Sequence, residues 1–369
     1  MSDAIIGDWQ ARIRAAAASK SPLQIRGGGS KEFYGQALAG DLLDTTAYKG
    51  IIDYDATELV ITARAGTPLT EIDDAMRTCG QMLAFEPPHF GSSAAGAATS
   101  VATLGGCVAA GLSGPRRPHA GAVRDLVLGV RILDGNGEDL TFGGRVMKNV
   151  AGFDVSRLMT GSLGTLGLLL DISLKCVPLP RTETTRVFDC TAIDAIRLAN
   201  QWGGKSLPIS ATCFHDGLFS VRLSGALSAV DAASAKLGGD AMDAAQSEVF
   251  WCSVRDHTHP YFAPAIDAGA SLWRLAVKST APHSDLSGEQ LIEWGGGLRW
   301  LIATGRNAPS QLRAWAKDHG GHATLFRAPD KTPGTFHPLP DTMLALHRRL
   351  KAVFDPAGIL NPGRLYPAF

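Results

Sequence analysis

This 369-residue sequence has no excess of positive or negative charge, because 35 lysines and arginines balance 35 aspartates and glutamates. Proteins that hold nucleic acid by neutralising its phosphates need a basic excess. The balanced charge therefore argues against nucleic acid as a partner. The length exceeds the roughly 250 to 300 residues that one hydrophobic core serves, so we expect more than one domain.

Cysteine is scarce and dispersed, and no two cysteines form a Cys-x-x-Cys pair. Zinc ribbons and local iron–sulfur ligand sets depend on such pairs. We therefore predict no metal site and expect reduced, structural thiols. The six cysteines are Cys79, Cys107, Cys176, Cys190, Cys213 and Cys252.

Long apolar runs are also missing. The most apolar run, residues 163–170, contains glycines and is far shorter than the ~20 residues that a membrane-spanning helix needs. Charged residues interrupt positions 1–20, which predicts an amphipathic helix rather than a signal peptide. We expect a cytoplasmic protein that reaches the inner face of a membrane only through partners.

Glycine, in contrast, is abundant, with 42 residues, and it concentrates in three loops of the first half. Glycine exposes backbone N–H groups and tolerates positive φ, so such loops can cradle a pyrophosphate. The pattern predicts a cofactor of dinucleotide size. The loops are Arg26-Gly-Gly-Gly-Ser30, residues 100–117 and Gly161-Ser-Leu-Gly-Thr-Leu-Gly167.

Two common nucleotide-binding motifs do not fit these loops. A Rossmann fingerprint needs a third glycine where Glu32 stands. Gly204-Lys-Ser206 resembles the end of a phosphate loop, but Ala199 replaces the first glycine and a helix precedes it. The sequence thus disfavours both a nicotinamide dehydrogenase and a nucleoside triphosphatase.

Hydrophobic periodicity predicts an α+β protein. We expect a cofactor-binding domain at 1–180, a smaller α+β unit at 181–330, and a C-terminal helix and turn at 331–369 that return to the first domain. Helices are predicted at 69–79, 192–202, 228–237, 309–318 and 344–354. Strands are predicted at 23–26, 50–54, 58–63, 127–134, 139–142, within 163–180, and at 219–223, 272–277 and 300–303.

The order of the motifs resembles the vanillyl-alcohol-oxidase type of FAD-binding domain, also called PCMH-type. The resemblance is carried by the Arg26–Ser30 loop, Ala-Thr-Leu-Gly-Gly at 102–106, Gly121-Ala-Val-Arg-Asp-Leu-Val-Leu-Gly129, Lys148-Asn-Val-Ala-Gly-Phe-Asp154 and Asn361-Pro-Gly363. It implies two α+β subdomains that bind FAD and a smaller α+β cap. Ser30 stands where some members attach FAD through a histidine, so noncovalent FAD is implied.

The resemblance also implies which residues contact FAD. Lys148 and Asn149 would lie near the isoalloxazine ring, where a cation stabilises reduced flavin. Leu163 replaces the glutamate that is usual in the family's third loop, which removes a charge near the cofactor. The other implied contacts are Arg26, Gly27, Gly28, Gly29, Ser30, Thr103, Leu104, Gly105, Gly106, Gly111, Ser113, Gly114, Ser162, Gly164, Thr165 and Gly167.

Within the family, residues 112–117 and 147–152 are most similar to flavin subunits of bacterial glycolate-oxidising complexes. This implies FAD-dependent oxidation of glycolate or a similar 2-hydroxy acid to the 2-oxo acid, with electrons leaving to an acceptor other than NAD. It also implies a second FAD subunit and an iron–sulfur subunit as partners. The alternatives are a self-sufficient FAD-linked oxidase or dehydrogenase and a noncatalytic, electron-relaying flavin subunit.

Substrate contacts are harder to predict, and the sequence reveals no catalytic base. Arg116 and Arg117 could bind a small carboxylate, a phosphate or a neighbouring subunit. His215 is the candidate from the second unit, whereas His257 and His259 are predicted to occupy a surface loop.

Overall fold

The computed structural model describes residues 2–91, 101–144, 154–303 and 308–369. The helices are α1 (Ser2–Ser19), α2 (Leu69–Thr78), α3 (Leu104–Ala110), α4 (Arg117–Ala120), α5 (Val123–Leu126), α6 (Val155–Met159), α7 (Ala192–Gly203), α8 (Leu227–Leu237), α9 (Ala244–Asp256), α10 (Ala263–Asp267), α11 (Pro309–Asp318) and α12 (Asp341–Phe354). Short 3₁₀ turns cover Pro260–Phe262 and Trp294–Gly296.

Within these described ranges, the strands form two main sheets and two small pairs. They are β1 (Leu23–Arg26), β2 (Asp41–Asp44), β3 (Ile51–Asp55), β4 (Val60–Arg64), β5 (Gln81–Met82), β6 (Val127–Leu133), β7 (Asp139–Gly143), β8 (Leu168–Lys175), β9 (Val177–Pro178), β10 (Thr182–Asp189), β11 (Ile209–His215), β12 (Leu218–Gly225), β13 (Asp240–Ala241), β14 (Ser271–Ala276), β15 (Gly288–Glu293), β16 (Leu298–Ala303) and β17 (His322–Arg327).

The first main sheet is antiparallel, with the order β3-β4-β8-β6-β7. Its central strands β4 and β8 are buried along most of their length, because α2 and α3 pack against the sheet. The apolar face of α2 is formed by Leu69, Ile72 and Met76, which recur at helical spacing and are fully buried. This sheet supports the loops on either side of α3.

The parallel pair β1–β2 lies beside the first sheet and under α1. The C-terminal segment returns to this pair, since the N–H of Leu23 donates to the carbonyl of Ile359 at 2.8 Å. Lys351 and Asp355 form a buried ion pair at 2.6 Å that anchors the end of α12. The C-terminus thereby becomes part of the wall around the first glycine loop.

The second main sheet has eight antiparallel strands in the order β13-β10-β12-β11-β15-β16-β14-β17. Helices α7, α8 and α11 pack on one face. The opposite face packs against residues of the first half, including Tyr34, Phe90, Leu112 and Leu163. A pocket can therefore form between this sheet and the glycine loops.

The α+β class is confirmed, and the predicted helices are present with shifts of a few residues at their ends. The run at 163–180 is strand only over Leu168–Lys175, because Gly164 and Gly167 shape a loop before it. In its described residues, the second unit has eight strands rather than the three that were predicted. Strand β10 escaped prediction because its sequence, Thr-Glu-Thr-Thr-Arg-Val-Phe-Asp, lacks an apolar face that alternates clearly. The proposed domain limits stay a prediction.

In the part of the chain that the structure describes, no helix is long and apolar enough to cross a membrane.

The short helix α3 was not predicted from the sequence. Its residues, Leu-Gly-Gly-Cys-Val-Ala-Ala, are rich in glycine, which disfavours helix. Tertiary contacts with β4 and β8 stabilise it instead.

We expect Lys351→Met to lower the free energy of unfolding by about 3–5 kcal/mol, because it leaves the Asp355 carboxylate buried without its cation. Chemical denaturation would measure the loss. Arg348→Met, at an exposed position of the same helix, is the control and should change stability little. Equal stability of the two variants would contradict the assigned role of the buried pair.

Candidate functional site

A long cleft opens where the loop after β1, the helix α3 and the C-terminal segment meet. It encloses about 970 Å³ of empty space, counting its open mouth. A smaller lobe continues beneath the third glycine loop. Of the predicted cofactor contacts, the cleft or its lobe is lined by Arg26, Gly27, Gly28, Gly29, Ser30, Thr103, Gly105, Gly106, Gly164 and Gly167.

The glycines let these segments approach each other closely. A Cβ on Gly27 would lie 2.5 Å from Thr103 Oγ1, and a Cβ on Gly28 would overlap the backbone oxygen of Val101. Gly164 has a φ of +74°, and a Cβ there would lie 2.7 Å from the Asn361 amide nitrogen. Side chains at these positions would push the walls of the cleft apart.

Other predicted cofactor contacts have different places. The N–H groups of Leu104 and Gly105 donate to Thr67 and Ala65, so they are already bonded within the protein. Gly111 ends α3 in the left-handed conformation. Leu104, Gly111, Ser162 and Thr165 do not line the cleft; Ser113 and Gly114 line a second pocket; Lys148 and Asn149 lie outside the described residues.

Three cations of the cleft were not predicted: Lys31, Lys331 and Arg364. Lys331 donates to the carbonyls of Phe33 and Gly35 at 2.8 and 2.6 Å, and burial lowers the pKa of Lys331 to about 8. Arg364 donates to the backbone of the same loop, and burial lowers its pKa to about 10. Arg364 directly follows the motif Asn361-Pro-Gly363, and this motif is the sequence signal from which its place in the cleft could have been predicted.

These observations fit a dinucleotide cofactor. The cleft is long and has walls of backbone where a Cβ would intrude, and its cations suit a diphosphate. Arg26 is paired with Glu32 at 2.8 Å at the mouth, and both side chains are well exposed. The chemistry of the lining thus agrees with the glycine pattern in the sequence.

Arg116, a predicted substrate contact, lies at the junction with the second sheet. Its Nη2 is 2.5 Å from Glu183, its Nε is 3.3 Å from Glu86, and its Nη1 donates to Ser224. Although burial opposes ionisation, the guanidiniums of Arg222 and Arg116 hold the pKa of Glu86 below its usual value. The Arg116 guanidinium is therefore occupied inside the protein, and this geometry does not favour a substrate role.

The other predicted substrate contacts are also placed outside the cleft. Arg117 lies over the indole of Trp294, 4.5 Å from the ring centre. His215 ends β11, and its Nε2 is 2.7 Å from Glu289. The prediction that His257 lies in a surface loop is wrong, because its imidazole is buried and stacks on Phe262. The roles of Arg117 and His215 stay predictions.

Two family models match the chain. The FAD binding domain matches residues 6–143, and the C-terminal domain of FAD linked oxidases matches residues 335–365. The two matches contain the first glycine loops and the returning C-terminal segment, which meet in the cleft. The protein is thus of the FAD-linked oxidoreductase class, and FAD is its cofactor.

Relatives narrow this class. The chain is 46% identical over 355 residues to the glycolate oxidase subunit GlcE of Escherichia coli, covering 96% of this chain and 95% of that protein. The chain belongs to the family of this glycolate oxidase subunit. It is 32% identical to the glycolate oxidase subunit GlcD of Bacillus subtilis, but over only 39% of this chain and 29% of that subunit.

A solved structure supports the fold. The chain superposes on alkyldihydroxyacetonephosphate synthase with a TM-score of 0.63 at 14% identity, covering 96% of this chain and 73% of that one. At this identity the likeness concerns the fold alone.

We expect Gly28→Ala to weaken FAD binding by about tenfold or more, equivalent to ~1.4 kcal/mol, because its Cβ collides with the Val101 carbonyl and widens the cleft. The flavin content per purified chain would measure the effect. Gly7→Ala is the control, since nothing lies within 4 Å of its Cβ. A Gly28→Ala protein that keeps full flavin content would refute the assigned cradle.

Proposed function

We propose that this protein is the FAD-binding subunit of a glycolate oxidase complex, which oxidises glycolate or a similar 2-hydroxy acid to the 2-oxo acid. The observation that carries the proposal is the glycine-walled cleft in a chain that matches a glycolate oxidase subunit over nearly its whole length. FAD, when bound, accepts the electrons of the substrate. The final acceptor is proposed to be a carrier other than NAD.

The residues of the cleft have separate tasks in this proposal. The loop from Arg26 to Ser30 binds the diphosphate through its backbone and its basic side chain. Lys331 and Arg364 hold the following loop by bonding its carbonyls, so the cleft keeps its width. Preorganised walls reduce the entropy that binding a long cofactor would otherwise cost.

We further propose that the chain works with a second FAD subunit and an iron–sulfur subunit in the cytoplasm, at the inner face of a membrane that it reaches through the complex. The relative's name describes a subunit, which supports assembly with other chains. The proposal of an iron–sulfur subunit as a partner is supported by the sequence resemblance alone.

A second candidate function is a flavin subunit that relays electrons and does not oxidise substrate itself. The specific observation in its favour is Arg116, whose guanidinium is already bonded to Glu86 and, across the junction, to Glu183. A self-sufficient oxidase acting on another hydroxy acid is the remaining alternative. Activity of the isolated chain separates these functions.

We expect the purified chain to show a flavin spectrum that bleaches when glycolate is added anaerobically, because bound FAD would accept the electrons of the substrate, and D-lactate is tested in the same way. Bleaching would show that the chain has its own active site. A stable flavin band in the isolated chain, together with activity of the assembled complex, would support the relay function. A chain purified gently without any flavin would contradict the proposed function.

A further inference from the structure

A second pocket lies between the eight-stranded sheet and the loop that follows α3. It encloses about 310 Å³ of empty space with its mouth, about a third of the space in the FAD cleft. Its floor includes Arg274 and Glu293 of the sheet, and its roof includes Ser113 and Gly114. This space is too small for a dinucleotide, so any ligand of the pocket has to be small.

Arg274 supplies a positive charge to this pocket. It stands opposite Trp300 in the pairing of β14 with β16, and its guanidinium lies 5.1 Å from the ring centre of Trp294 and 6.0 Å from that of Trp300. Among the described residues, no carboxylate forms an ion pair with it, and Arg117 adds a second cation over Trp294. The pocket can therefore attract an anion.

Glu293 supplies a carboxyl group beside this cation. It is only 4% exposed, and Trp300 Nε1 donates to its Oε1 at 2.7 Å. Burial raises the pKa of Glu293 to about 7, while the Trp300 hydrogen bond and Arg274 oppose that rise. A carboxyl group that titrates near neutral pH is suited to exchange protons with a ligand.

The third polar group of the pocket is the imidazole of His257. His257 is 4% exposed, and its Nδ1 is buried without a hydrogen-bond partner among the described residues. Its ring stacks on Phe262 at 3.9 Å and meets Trp300 edge-on at 4.6 Å, so its orientation is fixed. A buried polar atom without a partner costs free energy, which a bound polar ligand would recover.

The pocket adjoins the FAD cleft. Phe90 lines the pocket, and the amino group of Lys31, which lines the cleft, lies 5.5 Å from the centre of the Phe90 ring. Ala110, the last residue of α3, lines the cleft, and Leu112, two residues later, lines the pocket. A molecule in the pocket is thus a neighbour of the cofactor site.

We propose that this pocket binds the small 2-hydroxy acid, with Arg274 pairing with its carboxylate and Glu293 accepting the proton of its hydroxyl group. This inference rests on the proposed function. Oxidation converts the C–O single bond to C=O: the hydroxyl proton goes to Glu293, and the hydrogen on carbon leaves with two electrons to the flavin. His257 hydrogen-bonds the same ligand and orients it.

The charged and titratable groups around Glu293 come from several elements. Arg274 of β14 favours its ionised form, and Glu86 opposes it. Cys213 stands opposite Glu293 in β11, and burial with the nearby carboxylate raises the pKa of that thiol well above its usual value. Burial keeps the pKa of His257 low, so the imidazole is neutral. Glu293 is therefore the group of this cluster whose charge changes near pH 7.

The first test measures binding without catalysis. Oxalate, which carries carboxylates but no oxidisable C–H bond, is titrated into the FAD-loaded chain while tryptophan fluorescence is followed. We expect saturable binding that Arg274→Met weakens at least tenfold and that Arg274→Lys partly restores. Arg348→Met, at an exposed site of α12, is the matched control.

The outcomes of this test separate the inference from the proposed function. A flavin-loaded wild-type chain that does not bind oxalate, or an Arg274→Met variant that binds it as tightly as wild type, would overturn the inference and leave FAD binding intact. A chain without flavin would instead contradict the proposed function. Full flavin content in Arg274→Met would show that the variant is folded.

The second test concerns the proton. We expect Glu293→Gln to bind oxalate nearly as wild type does but to slow flavin reduction by glycolate about 100-fold or more. In wild type the rate should rise with pH through about 7, because the deprotonated carboxylate is the base, and the variant should lose this rise. Glu71→Gln, at an exposed site of α2, is the control.

An unchanged rate and pH profile in Glu293→Gln would refute the assigned base. A wild-type chain that holds flavin but is not reduced by glycolate would do the same. If both binding and flavin content fell in Glu293→Gln, its role would be structural and the inference would fail.

Discussion

The architecture of the glycine-lined cleft depends on one buried amide. Asn361 accepts a hydrogen bond from the N–H of Ile25 and donates to the carbonyl of Leu163, both at 2.7 Å. One side chain therefore joins the strand before the first glycine loop to the third glycine loop. The adjacent turn leads to Arg364, which bonds the backbone after Ser30. The C-terminus thus closes a cleft whose other walls come from the first half of the chain.

A second polar junction fixes the eight-stranded sheet against the cofactor domain. The partly buried Glu86 accepts from Arg116 and from Arg222, which lies on β12 of that sheet. These two ion pairs of Glu86 offset the free-energy cost of burying its charge. They also set the distance between the sheet and the loop after α3. The pocket around Arg274 is lined by Ser113, Gly114 and Pro115, which directly precede Arg116 of this junction.

The sequence predicted the FAD cleft better than the pocket beside it because the two signals differ in range. The three glycine clusters are local patterns that can be read directly from the sequence. Gly27 and Gly164 lie where neighbouring segments approach so closely that a Cβ would collide with them. Arg274 and Glu293, in contrast, are single residues 19 positions apart, on strands β14 and β15, which are separated in the sheet by β16. Their meeting depends on strand order, which the pattern of apolar residues does not specify. His257 was assigned to a surface loop for the same reason.

By itself, the sequence determined the α+β class, most of the longer helices and a cofactor of dinucleotide size, because periodicity and backbone freedom are local properties. Only the tertiary structure decided that Arg116 is neutralised at a junction, that Lys331 and Arg364 reach the cleft, and that eight strands rather than three form the second sheet. Those facts follow from contacts between residues far apart in sequence, where burial and charge pairing act on the folded chain as a whole.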